Sequence, residues 1–253
     1  MMNMKKLIYA GLALALFAVT SCSKDYDNYP EPEETLTGSV VDSETGEGIQ
    51  TEAGGNGTRI RLDELSYSDN PTPYYFYSMQ DGTFNNNKIF KGHYRVSVEG
   101  PFVPLLQTDA SGNVTVDNRK ELDINGTTNV QFEVEPFLNV EWVGEPVYNA
   151  ADSTVTVQAR FTRGTSNPNF QQNITDVYLY VNFLPYVGNN YRVDRLSTQV
   201  SYSGDTAPVG ETITLTSSNK LDQHRDYYLR VGARISYGQN WYNYTTVKKL
   251  TIP

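Results

Sequence analysis

The chain has 253 residues, with 20 Lys and Arg against 29 Asp and Glu for a formal net charge of −9, and a single cysteine. So acidic a chain is a poor partner for a phosphate backbone, which argues against nucleic-acid binding, and one cysteine excludes an internal disulfide framework. Aromatics make up 12% and charged residues only 19%, enough apolar matter for a sizeable core and too much for a disordered chain beyond a short tether.

The first residues, MMNMKK, supply a short basic region with Lys5 and Lys6, and Leu7 to Val19 form a largely apolar run. This is the layout of a secretory signal peptide. The run falls short of the roughly 20 apolar residues that cross a bilayer as a helix, and no second one follows, so no transmembrane helix is expected in the mature chain. Val19-Thr20-Ser21 leads straight into Cys22, which resembles the lipobox of bacterial lipoproteins. That resemblance implies a signal peptide over residues 1–21 and a lipidated Cys22 as the new N-terminus. Several acyl chains, each contributing about 0.8 kcal/mol per buried methylene, hold a protein on a membrane far more firmly than one.

Ser23-Lys24-Asp25-Tyr26-Asp27-Asn28 resembles the acidic export signal of surface-exposed Bacteroidetes lipoproteins, which implies the outer membrane with the protein facing the cell exterior. Residues 22–35 read as a tether, because Tyr29-Pro30-Glu31-Pro32-Glu33-Glu34 combines proline with like charges that keep a chain extended. Without Lys5 and Lys6 the balance is 18 basic against 29 acidic residues, a net charge of −11.

From Leu36 onward short alternating runs replace helical spacing. Tyr94, Val96 and Val98 alternate with His93, Arg95 and Ser97. Val155, Val157, Ala159 and Phe161 do so with Thr154, Thr156, Gln158 and Arg160. Tyr227, Leu229, Val231, Ala233 and Ile235 do so with Tyr228, Arg230, Gly232 and Arg234. Period two with one apolar face predicts half-buried strands, and Asp81-Gly82, Ser111-Gly112-Asn113, Asn125-Gly126 and Gly188-Asn189-Asn190 predict turns. The fold class is all-β, two antiparallel β-sandwich domains. Pro136 interrupts pairing between the Val130, Phe132, Val134 run and the Leu138, Val140, Trp142 run, dividing the domains into 36–136 and 137–253.

Gly38-Ser39-Val40-Val41-Asp42 with Thr45-Gly46, Asp81-Gly82-Thr83-Phe84, and Gly92-His93-Tyr94-Arg95-Val96 together resemble the carboxypeptidase regulatory-like, transthyretin-like sandwich. Asp226-Tyr227-Tyr228-Leu229-Arg230-Val231 resembles a late strand of fibronectin type III and immunoglobulin-like sandwiches. With Gly100-Pro101-Phe102-Val103-Pro104 and Val130 to Leu138, the chain resembles a family of two-domain Bacteroidetes lipoproteins often encoded beside SusC/SusD-type glycan-uptake pairs. The resemblance implies a part in surface nutrient capture and carries over no catalytic residues.

The residues themselves offer little chemistry. His93 and His224 are too few for a histidine-rich metal site, and no His-Glu-x-x-His, Cys-x-x-Cys or Gly-x-Ser-x-Gly spacing occurs. No metal or cofactor is expected. His93 falls on the polar side of its strand, as a solvated surface residue. Gly54-Gly55-Asn56-Gly57-Thr58 lacks the lysine and helix of a phosphate loop and reads as a mobile loop. Glu133 and Glu135 share a strand face, as a glycosidase pair would, but solvent-facing glutamates are far commoner.

Binding features are stronger, since sugar rings stack their apolar faces on exposed aromatics. Gln239, Asn240, Trp241, Tyr242 and Tyr244 form the first candidate glycan-binding group. Parity puts Tyr242 and Tyr244 with Leu250 and Ile252, and Trp241 outward with Asn243, Thr245 and Lys249; Trp142 is expected in the core. Tyr74, Tyr75 and Tyr77 form a second candidate surface. Ser153 in Asp152-Ser153-Thr154 and Thr206 in Asp205-Thr206-Ala207 resemble the O-glycosylation motif of exported Bacteroidetes proteins. The leading expectation is a non-enzymatic, lipid-anchored surface protein assisting a SusC/SusD-type system by binding glycan or the transporter complex. The alternatives are a structural subunit that docks partner proteins and, further off, a polysaccharide- or peptide-active enzyme.

Overall fold

The computed structural model describes residues 30–252 except residue 223; Cys22, the segment that resembles an export signal and most of the tether lie outside the described residues. From Glu33 onward the chain forms one compact unit, all-β apart from a 3-10 turn at Pro168–Phe170. No helix among the described residues is long and apolar enough to cross a membrane.

The first domain is built from β1 (Glu34–Asp42), β2 (Arg59–Glu64), β3 (Tyr74–Tyr77), β4 (Thr83–Ile89), β5 (Gly92–Glu99), β6 (Leu106–Thr108), β7 (Val114–Asp117), β8 (Lys120–Ile124) and β9 (Thr127–Val134). One sheet runs β4-β1-β9, the other β3-β2-β5-β8, and β6 pairs with β7 as a separate hairpin. Their inner faces meet over Leu36, Val40, Ile60, Leu62, Phe84, Val96, Phe132 and neighbours, as alternation requires. One pairing departs from the all-antiparallel expectation: β1 and β9 run parallel, from Thr35 opposite Thr127 to Asp42 opposite Val134. The first and last strands of this domain are far apart in sequence, so no hairpin constrains their direction.

The second domain comprises β10 (Leu138–Trp142), β11 (Val147–Asn149), β12 (Thr154–Arg163), β13 (Ile174–Asn182), β14 (Thr198–Ser201), β15 (Thr212–Thr216), β16 (Arg225–Ile235), β17 (Asn243–Tyr244) and β18 (Lys248–Ile252). β12 pairs with β10, β11 and β15, while β14-β13-β16 continues to β17 and β18. The predicted inward residues of β12 and β16 are all buried between these sheets. Trp142 only rims this core: it is half-buried, and its indole N–H donates to the Thr246 carbonyl at 2.8 Å.

The outer face of β16 carries a further correction. Arg230, on the polar parity, is wholly buried, because the first domain covers this face. Its guanidinium donates to Thr51 O (2.7 Å), Gln80 Oε1 (2.9 Å), Gln50 Oε1 (3.2 Å) and Gln80 O (3.3 Å) across the domain boundary, and to Thr245 O (2.7 Å) within its own domain. Five bonds compensate for much of the desolvation of a buried cation. The loop at Gly54–Thr58 is likewise docked. The buried Glu52 carboxylate just before it receives the Tyr244 hydroxyl (2.7 Å) and the amides of Asn189 and Asn190, while Asn190 Nδ2 donates to Ala53 O at 3.1 Å.

Candidate functional site

A cleft of about 290 Å³ opens where the end of β16 meets the outer face of β2 and the segment after β5. In β2 the order Arg-Ile-Arg-Leu puts Ile60 and Leu62 in the core and Arg59 and Arg61 on the opposite face. Register then sets Arg59 opposite Glu99 and Arg61 opposite Ser97 on β5. The Arg59–Glu99 pair closes at 2.8 Å from Nε, a directly facing cross-strand pair of opposite charge. Arg119, ahead of β8, also reaches the cleft.

The opposite wall is the β16–β17 connection. Gly238 and Asn240 both take positive φ, 56° and 54°, where glycine and asparagine are the least strained residues. The Asn240 amide closes the turn on Tyr237 O at 2.9 Å. Tyr237 packs edge-on against Phe137 and Phe170, centroids 5.3 Å apart in each case, and Phe137 and Tyr237 line the cleft with Leu106, Gln239 and Trp241.

The two aromatic groups predicted from sequence meet here through a residue that neither contained. The Arg59 guanidinium lies 4.5 Å from the Tyr75 ring centroid and 5.6 Å from that of Trp241, positions that attract a cation to each ring. Trp241 is half-buried rather than fully outward; Gln239 and Asn240 are exposed. Tyr242 and Tyr244 are buried and leave no ring surface for a ligand. Tyr242 donates to Asp176 and Tyr244 to Glu52, because both faces of their strand are covered. Asn243 and Thr245, predicted outward beside Trp241, are buried too, and Asn243 Nδ2 donates to Pro101 O at 2.9 Å. Of the second surface, Tyr74 and Tyr77 are exposed but do not line the cleft.

Each cleft arginine has an acidic neighbour. Arg61 Nε lies 3.0 Å from both oxygens of Asp63, and Arg119 binds Asp117 through Nε (2.8 Å) and Nη2 (2.6 Å). The hydrogen bonds from Arg119 hold the Asp117 carboxyl down at about 2. Among the described residues, Glu99 is the only carboxylate lining the cleft. Sequence alternation alone could have placed Arg59 and Arg61 on one face; Arg119 and Tyr237 gave no such signal.

The remaining predicted sites lie elsewhere. Thr206 is exposed and its hydroxyl donates to Ser203 O at 2.9 Å, whereas Ser153 is half-buried with φ 60°. His93 is exposed, its Nδ1 2.8 Å from Asp123 Oδ1. Glu133 and Glu135 are exposed, and Glu135 accepts from the Thr165 hydroxyl. Among the described residues no group of three or more His, Cys, Asp or Glu could hold a metal ion.

Two family profiles cover most of these domains: "Protein of unknown function (DUF3823) N-terminal domain" matches residues 34–135, and "Domain of unknown function (DUF3823_C)" matches residues 142–249. The chain belongs to the DUF3823 family. A crystal structure of a DUF3823 family protein from Bacteroides uniformis is 37% identical, with a TM-score of 0.82 over 88% of this chain and all of the other. A second B. uniformis structure, described as a "putative carbohydrate binding protein", is 22% identical with a TM-score of 0.68 over 87% of this chain and all of its own. A DUF3823 family protein from Parabacteroides merdae is 19% identical with a TM-score of 0.64, over 88% of this chain and all of its own. The last two show the shared two-domain fold. No curated protein matches the chain.

Proposed function

We propose that this DUF3823 protein is a non-enzymatic surface lipoprotein that captures glycan in the cleft lined by Arg59 and Trp241. The observation that carries this reading is the cleft itself: Trp241, Tyr237 and Leu106 offer stacking surface, while Gln239, Ser97 and the arginines offer hydrogen bonds. A small set of polar groups on a largely apolar wall is the usual make-up of a ligand site. The single lining carboxylate, already paired with Arg59, suits retention better than the two-carboxylate hydrolysis of most glycosidases. The description of the 22%-identical relative points the same way.

In this reading a lipid on Cys22 holds the protein at the outer membrane, facing outward, and the acidic tether gives it reach toward a SusC/SusD-type transporter. Calorimetric titration of the full chain against a panel of neutral and acidic polysaccharides tests the capture step. Binding is expected, weakened about tenfold or more by Trp241→Ala; no binding across the panel would overturn it. Labelled palmitate should enter the wild type and not Cys22→Ser.

A docking role has one observation in its favour. Leu184, Tyr186 and Tyr191 are all exposed in the segment after β13. Co-purification of a transporter complex unaffected by Trp241→Ala would support that role instead.

A further inference from the structure

The chain is acidic overall, yet among the described residues three arginines and one glutamate are the charged lining of the cleft. Glu99 neutralises Arg59 locally, and that guanidinium is further committed to the faces of Tyr75 and Trp241. Arg61 and Arg119 differ. Their partners, Asp63 and Asp117, do not line the cleft. Asp63 engages only Nε of Arg61, so among the described residues Nη1 and Nη2 of Arg61 have no protein acceptor. Asp117 engages Nε and Nη2 of Arg119, leaving Nη1. Both side chains remain partly accessible, at 32% and 16%.

Resting on the capture reading, we infer that the sugar held here is anionic: a uronic-acid residue whose carboxylate is bound by the free nitrogens of Arg61 and Arg119 while its ring lies along Trp241 and Tyr237. Guanidinium groups match the planar carboxylate, and charge-assisted bonds are roughly twice as strong as neutral ones. Apolar walls from Phe102, Leu105 and Phe137 lower the local polarity and strengthen the attraction. At about 290 Å³ the cleft lies near the lower bound of small-molecule sites, about 300 Å³, which suits one sugar residue of a chain rather than a long segment.

The test titrates the full chain with oligogalacturonate, with the same oligomer after carboxyl reduction, and with a sulfated oligosaccharide. Oligogalacturonate is expected to bind at least tenfold tighter than the reduced oligomer and tighter than the sulfated one. Arg61→Gln should abolish that preference, while Trp241→Ala should weaken acidic and reduced oligomers alike. Raising salt from 50 to 500 mM should weaken oligogalacturonate and leave the reduced oligomer unchanged, a check that needs no variant. Equal affinity for acidic and reduced oligomers would overturn the anionic inference and leave glycan capture standing. Tighter binding of the sulfated sugar would replace the uronate. Binding of none of the three would overturn the inference, and the wider panel then decides whether capture of neutral glycan survives.

Discussion

Asp176 is a carboxylate with almost no access to water, 2% exposed. Burial pushes its pKa up, but hydrogen bonds from Tyr242, Arg234 (2.6 Å), Thr175 (2.8 Å) and Gln199 (2.8 Å) outweigh that and hold it below its ordinary value of 3.8. A folded-state pKa below the unfolded one means that this stabilisation is present above the ordinary carboxylate value and lost as pH falls through the folded value. Asp176→Asn should therefore lower the urea midpoint at pH 7 and flatten its fall between pH 5 and pH 2. An unchanged acid limb would show that other carboxylates carry the acid unfolding. One of those bonds comes from the buried Tyr242, a residue whose apolar parity was plain from sequence and whose partner was not. Asp176 lies elsewhere in the chain, and periodicity is silent on which polar groups will find each other.

At the scale of elements, β1 is held on both sides, by β4 and β9. Gly38 makes this possible: a Cβ there would stand 1.8 Å from the Val130 carbonyl oxygen and 2.6 Å from the Phe84 ring. Gly38→Ala should cost about 3 kcal/mol or more by overpacking. Gly46→Ala has open space around it and only a positive φ of 74° to strain, so it should cost about 1–2 kcal/mol. Urea unfolding of the two variants checks the difference, and equal costs would mean that β1 moves to make room. Strands of this kind were legible, since Ile60 and Leu62, or Val155 through Phe161, follow period two. The parallel direction of β9 beside β1 was not, because alternation fixes which residues face inward and says nothing of strand direction.

For the whole molecule, the two domains share a buried polar boundary. Arg230 enters from β16 and spends four of its five bonds on the first domain, its guanidinium 4.4 Å from the Tyr244 ring. Glu52 enters from the other side and accepts from Tyr244. Removing the cation leaves carbonyls of both domains unpaired in a dry place, a loss of about 3–5 kcal/mol. Calorimetry of the wild type should show one transition, whereas Arg230→Met should melt lower and separate into two. Two transitions in the wild type would mean that the boundary does not couple the domains.

The chain by itself determined the all-β class, the inward residues of its strands, the turns and the aromatic segments, because these follow from local chemistry and the period of a pleated strand. Only the tertiary structure decided that the polar face of β16 is buried at Arg230 and Gly232, that Tyr242 and Tyr244 are hidden, and that Trp241, Tyr75 and the arginines converge. Whether an outward face meets water or another domain depends on residues far away in sequence. One sandwich packing on another turned a predicted solvent face into a buried boundary with a cleft beside it.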